Sequence, residues 1–117
     1  MNNTRGSRRS DRKTFARRTR LWVIDRESER LNELIVHGHD FSHHGLGLES
    51  AAEVALGSEV LCEPYSSPYG HAGVVYGVVR VCNAKPNGWQ HIGIEVMQMP
   101  AEIRSAGWVE RSLNTAA

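Results

Sequence analysis

Between residues 21 and 97 the apolar positions fall into six short runs separated by turn residues. Leu21, Trp22, Val23 and Ile24 form a continuous, bulky run, and residues 25–32 form a charged connection. Residues 33–39 alternate, with Leu34 and Val36 on one face, as a second strand. Residues 45–49 alternate again, with Leu46 and Leu48 facing inward. Residues 58–64 read as a fourth strand, the Val-dense residues 73–84 as a long fifth, and residues 89–97 as a sixth. The breaks between the runs carry turn chemistry. A tight turn is expected at residues 40–45, and residues 64–71 are a loop rich in Pro, Ser and Gly. Asn87-Gly88 between two apolar runs is a hairpin signal. Many short strands between turns predict an all-β barrel or sandwich.

Residues 100–113 have a different pattern. Pro100 suits a first helical position, and Ile103, Val109 and Leu113 make a modest apolar stripe. A short C-terminal helix is predicted there, with Gly107 as its weak point.

A length of 117 residues allows one core and not two. No apolar run approaches the ~18 residues of a membrane span. The N-terminus is basic but has no apolar stretch before Leu21, so a signal peptide is not expected. Cys62 and Cys82 are isolated and strand-borne, which predicts small buried thiols and fits a reducing cytoplasm. The formal net charge of +1 conceals an asymmetry. Residues 1–20 hold eight Arg or Lys and one Asp, a net +7, and the remainder holds six basic and twelve acidic residues, a net −6. A basic arm on an acidic body points to an anionic partner, or to an arm that rests on its own body. The expected division is a flexible basic arm at 1–20, a barrel at 21–99 and a helix with tail at 100–117.

Two short patterns carry the candidate chemistry. Arg8 and Arg12 form Arg-x-x-x-Arg in the arm, and Asp40, Ser42 and Gly45 form Asp-x-Ser-x-x-Gly between two apolar strands. Guanidinium matches both phosphate and the O6/N7 edge of guanine bidentately. A carboxylate accepts from the N–H donors on guanine's Watson–Crick edge, and a hydroxyl can donate or accept. Gly45 is expected to permit the turn and a close approach, since only Gly takes positive φ without penalty. Each pattern alone is common. Arg5 and Arg9 repeat the first, and Asp and Ser often build turns by bonding their own backbone.

Taken together, in this order and spacing, the two patterns resemble the signature of PilZ domains, bacterial receptors for cyclic di-GMP. The resemblance extends over residues 8–97. Residues 77–81 look like the family's Val-rich strand, and residues 92–96 look like its Ile-Gly-Ile/Val strand, with Val96 where an aromatic is usual. The resemblance implies a six-stranded antiparallel split barrel with a C-terminal helix, a cytoplasmic bacterial setting and no catalysis; no cofactor or metal is expected. Carried over by position, Arg8, Arg9 and Arg12 lie in the ligand clamp, Asp40 and Ser42 read guanine, and Gly45 permits the turn. The Arg8–Arg12 register is preferred to Arg5–Arg9 because Arg9 then follows the first motif Arg, as is frequent in the family. Basic residues continue through Lys13, Arg17, Arg18 and Arg20, where the family commonly turns apolar. A downstream effector protein is the implied partner. A nucleic-acid-binding module using the basic arm, and a ligand-free interaction module, are the alternatives.

Other residues have ordinary roles by default. His37, His39, His43 and His44 crowd around Asp40, and His37 with His39 has a chelating spacing, but no Cys or second carboxylate joins them in sequence. Phe41 and Trp22 are expected in the core, and Trp108 is expected to pack the helix on the barrel. Trp89 follows a turn and is a candidate for exposure. Tyr65 and Tyr69 lie in the long loop, and Arg80 is a candidate to project toward the ligand side. No Ser-His-Asp arrangement with a nucleophile elbow, phosphate-binding glycine loop or His-Glu-x-x-His motif is present in the sequence.

Overall fold

A computed structural model of the protein describes residues 13–14, 18–41, 44–63 and 74–115. Its strands are β1 (Lys13–Thr14), β2 (Arg18–Asp25), β3 (Arg30–Phe41), β4 (Gly45–Ser50), β5 (Glu59–Glu63), β6 (Val75–Ala84) and β7 (Gln90–Met97). Two helices follow, α1 (Ala101–Arg104) and α2 (Gly107–Thr115). All strand pairings are antiparallel. Six strands close on themselves in the order β2-β3-β4-β7-β6-β5 and back to β2, and β1 lies on the edge of β3 beyond β2. Closure removes the free sheet edges that an open sheet would expose.

The long strand β3 makes closure possible. Residues 30–37 pair with β2, residues 36–41 pair with β4 on the opposite edge, and Asp40 and Phe41 also pair with β1. Inside the barrel, Leu21, Val36, Leu46, Leu48, Val60, Cys62, Val79, Ile92 and Ile94 form one core cluster with Val54. These positions alternate along their strands, as half-buried strands require. The run at 21–24 is continuous because β2 is covered on both faces. Leu21 faces the inner cluster, while Trp22 and Ile24 join Leu61, Tyr76, Ile103 and Val109 in a second cluster beneath the helices.

The C-terminal helix is split. Pro100 is the N-cap, not the first helical residue, with φ −61° and ψ 145°. α1 stops at Arg104, Ser105 caps it, and α2 starts at Gly107. The break lets two short segments each contribute one buried residue, Ile103 and Val109, to the second cluster. Trp108 packs against that cluster as expected. Arg26 ties α1 to the barrel by donating from Nε and Nη2 to Glu59 and from Nη1 to Glu102 at 3.1 Å.

The strands begin earlier and run longer than the apolar runs. β2 starts at Arg18, since Thr19 is buried and Arg20 has a place on the outer face. The Arg20 guanidinium lies 4.9 Å from the Trp22 ring centroid and pairs with Glu33 and Glu63. Arg20 is thus part of the barrel wall. β3 continues through Phe41, so Asp40 belongs to a strand and not to the expected turn.

Candidate functional site

Asp40 is where the structure brings the second sequence motif to a surface. Even-numbered residues on β3 face inward up to Gly38, which pairs with buried Leu48. Continued alternation would put Asp40 on that inner face. A bulge between Gly38 and Asp40 shifts the register, so Asp40 pairs with Gly47 instead. Directly paired residues share a face, and Gly47 lies on the face opposite Leu46 and Leu48. The bulge therefore turns a carboxylate that the pattern would bury outward onto the barrel wall.

The registers define a row across that outer face: Thr14, Asp40, Gly47, Gly93 and Val81 occupy neighbouring positions on β1, β3, β4, β7 and β6. The row on one side holds His37, Glu49, His91 and Asn83. The row on the other holds Gly45, Glu95 and Val78. Polar side chains thus line one side of a centre where two adjacent strands carry no side chain, with Glu95 on the other side and Val81 at its β6 end.

Of the two uses expected of Gly45, a positive-φ turn and a close approach, only the second is found. Its φ lies outside the left-handed region, where Gly57 and Gly88 do lie. Its use is the close approach: a Cβ there would stand 3.1 Å from the Ile94 carbonyl oxygen of β7.

The rim is tied together by ion pairs and a ring contact. Arg80 sits at a second bulge, between Val79 and Val81, and donates from Nε to Glu95 at 2.8 Å. Since Glu95 is the register partner of Gly45, this exposed pair stands beside the Gly45 end of the face. At the other end Lys85 pairs with Glu49, and the rings of His37 and Trp89 meet edge to face at 5.2 Å. Trp89 is half-buried, and His37 is spent on an aromatic contact. Among the described residues no three His, Cys, Asp or Glu side chains gather as metal ligands.

Arg8, Arg9, Arg12 and Ser42 lie outside the described residues, as do His43, Tyr65 and Tyr69. What the structure gives for the arm is its entry point. Lys13 pairs with Phe41 and Thr14 with Asp40, so the chain that follows Arg12 runs alongside the Asp40 carboxylate's own strand. Sequence reading missed β1, which has no apolar pattern. It also missed Gly47 and Gly93, which stand out only once the registers place them next to Asp40.

Compared with known protein families, the chain matches the model described as PilZ domain over residues 7–107. A comparison with curated proteins finds no match.

Proposed function

This chain belongs to the PilZ domain family, a family of cyclic di-GMP receptors, and on that premise we propose that it binds cyclic di-GMP between its N-terminal arm and the outer face around Asp40. The observation that supports the reading is the pairing of Lys13 with Phe41 and Thr14 with Asp40, which seats the two residues after Arg12 on the strand that bears Asp40. The two ligand phosphates are anionic, and Arg8 and Arg12 neutralise them or grip the O6/N7 edge of guanine. Asp40 accepts from the guanine N–H donors, and Ser42 adds a hydroxyl.

The energetics are sufficient. Hydrogen bonds to charged groups contribute roughly 1.5–3 kcal/mol each, and micromolar affinity requires ~8 kcal/mol. Two Arg contacts and the Asp40 pairing supply most of it, offset in part by ordering residues 5–15. Ligand-driven docking of the arm then presents or hides a surface read by a downstream protein, in control of motility, adhesion or exopolysaccharide. The role is that of a receptor, not of an enzyme.

The test is calorimetric titration of cyclic di-GMP into wild type and Arg12→Ala at ~0.15 M salt. Micromolar or tighter binding that the variant loses supports the proposal. Binding kept by the variant moves the clamp to another Arg pair. No binding by wild type sinks it, and steeply salt-dependent binding of DNA or RNA would then favour the nucleic-acid alternative.

A further inference from the structure

Gly47 is buried although it lies on the outer face of the barrel. What lies over it is the Asp40 carboxyl group. A Cβ built on Gly47 would stand 2.8 Å from Asp40 Oδ1, 3.2 Å from its Cγ and 3.2 Å from its Oδ2. All three nearest atoms belong to this one group, and none belongs to the backbone. Real Cβ atoms essentially never approach as close as the shortest of these distances. The absent side chain therefore leaves a seat, and the carboxylate occupies it.

We propose that Gly47 is a positioning residue for the nucleotide site: it lets the Asp40 carboxylate lie down on β4, in the orientation from which it pairs with a guanine edge. The inference rests on the cyclic di-GMP reading above and deepens it. Two independent features fix the carboxylate. The bulge before Asp40 turns it to the outer face, and its register partner Gly47 gives it room there. Any side chain at 47 takes the volume the carboxylate now fills. Asp40 must then swing to another rotamer, away from the strand it rests on. The next residue in the row, Gly93, is also bare, and the nearest atom to a Cβ there is Val81 Cβ at 3.2 Å. The Asp40 carboxyl over Gly47 and the Val81 side chain against Gly93 thus both use room that a missing side chain leaves.

The test is a double-mutant cycle over Gly47→Ala and Asp40→Ala, with stability and nucleotide affinity measured for all four proteins. In the wild-type background Gly47→Ala should lower cyclic di-GMP affinity about tenfold or more, the loss expected when one hydrogen bond to a charged group goes. In the Asp40→Ala background the same change should leave affinity unaltered and should not lower the unfolding midpoint, because the atoms it would strike are gone and Ala suits a strand interior better than Gly. A second readout separates positioning from general damage. Adenine offers a different Watson–Crick edge from guanine, so misplacing the carboxylate should reduce the preference for cyclic di-GMP over cyclic di-AMP. A purely structural defect would weaken both ligands alike. The inference is overturned if Gly47→Ala keeps wild-type affinity and preference, or if its cost is the same with and without the Asp40 carboxylate. Failure of wild type to bind cyclic di-GMP sinks the receptor reading instead. In that case the ligand-free unfolding cycle still decides whether Gly47 seats Asp40.

Discussion

Replacing Ile103 with Ala should release α1 from the barrel while leaving the barrel closed. Ile103 is 1% exposed and sits in the outer cluster among Trp22, Ile24, Leu61, Tyr76 and Val109. Truncating a fully buried Ile to Ala costs about 2–5 kcal/mol, the lost transfer free energy plus the cavity left behind. α1 has only four residues, too few to hold a helix without tertiary anchorage. Within α1 the remaining tether is the Arg26–Glu102 pair, whose Glu102 side chain is 65% exposed, whereas α2 keeps Val109 and Trp108 in the cluster. An exposed, solvent-screened pair of this kind contributes little beside a buried side chain. The anchor therefore outweighs the tether, and its loss falls first on α1. Hydrogen exchange should show faster exchange at Arg104 and Ser105, whose amides bond the Pro100 and Ala101 carbonyls. Amides of β4 and β7 should keep their wild-type protection. Ile92→Ala, in the inner cluster, should instead lower protection throughout. The reasoning fails if Ile103→Ala costs under ~1 kcal/mol in urea unfolding, or if it lowers barrel and helix protection equally.

Three further outcomes follow from other parts of the fold. Gly77→Ala should destabilise the barrel by about 1–3 kcal/mol in urea unfolding, because its Cβ would come within 2.6 Å of the Glu95 carbonyl oxygen. An unchanged midpoint would contradict this. The Arg26 bond holds the Glu59 carboxyl below its ordinary value of 4.5, with the Tyr76 hydroxyl acting in the same direction. A depressed folded pKa stabilises the protein above the unfolded value, and that contribution is lost as pH falls through the folded pKa. Wild type should therefore lose more stability than Glu59→Gln as the pH drops below 4.5, and parallel curves would refute it. Burial pushes the Cys62 thiol up to about 12, and the residue is 0% exposed. Cys62 should stay unreactive toward a disulfide reagent at neutral pH until the barrel unfolds, and rapid labelling of the native protein would contradict this.

The strands were legible where burial on one face imposes alternation. Leu46 and Leu48, Leu34 and Val36, and the Asn87-Gly88 hairpin all have the expected roles. The bulges at His39 and Arg80 were not legible, because a bulge is a property of two strands in register and leaves no mark on one strand's pattern. That limit matters most at Asp40, where the bulge decides which face the carboxylate takes. β1 was missed for a related reason. Lys13-Thr14 has no apolar content, and the strand exists only because β3 outruns β2 and leaves backbone groups to be paired. The helix break at Ser105 and Ala106 was foreshadowed by Gly107, but its position is set by Ile103 and Val109 reaching one cluster. At Gly45 the expected close approach is present and the expected left-handed backbone is not. The family match extends over both motifs and the strands between them.

The most direct measurement is amide NMR of the isotope-labelled protein titrated with cyclic di-GMP. The account predicts saturable shifts at Arg8 to Arg12, at Asp40 to Gly47 and at Gly93, with α1 and α2 little affected. Absence of shifts, or shifts confined to β2, β5 and the helices, would contradict a nucleotide site between the arm and the Asp40 face.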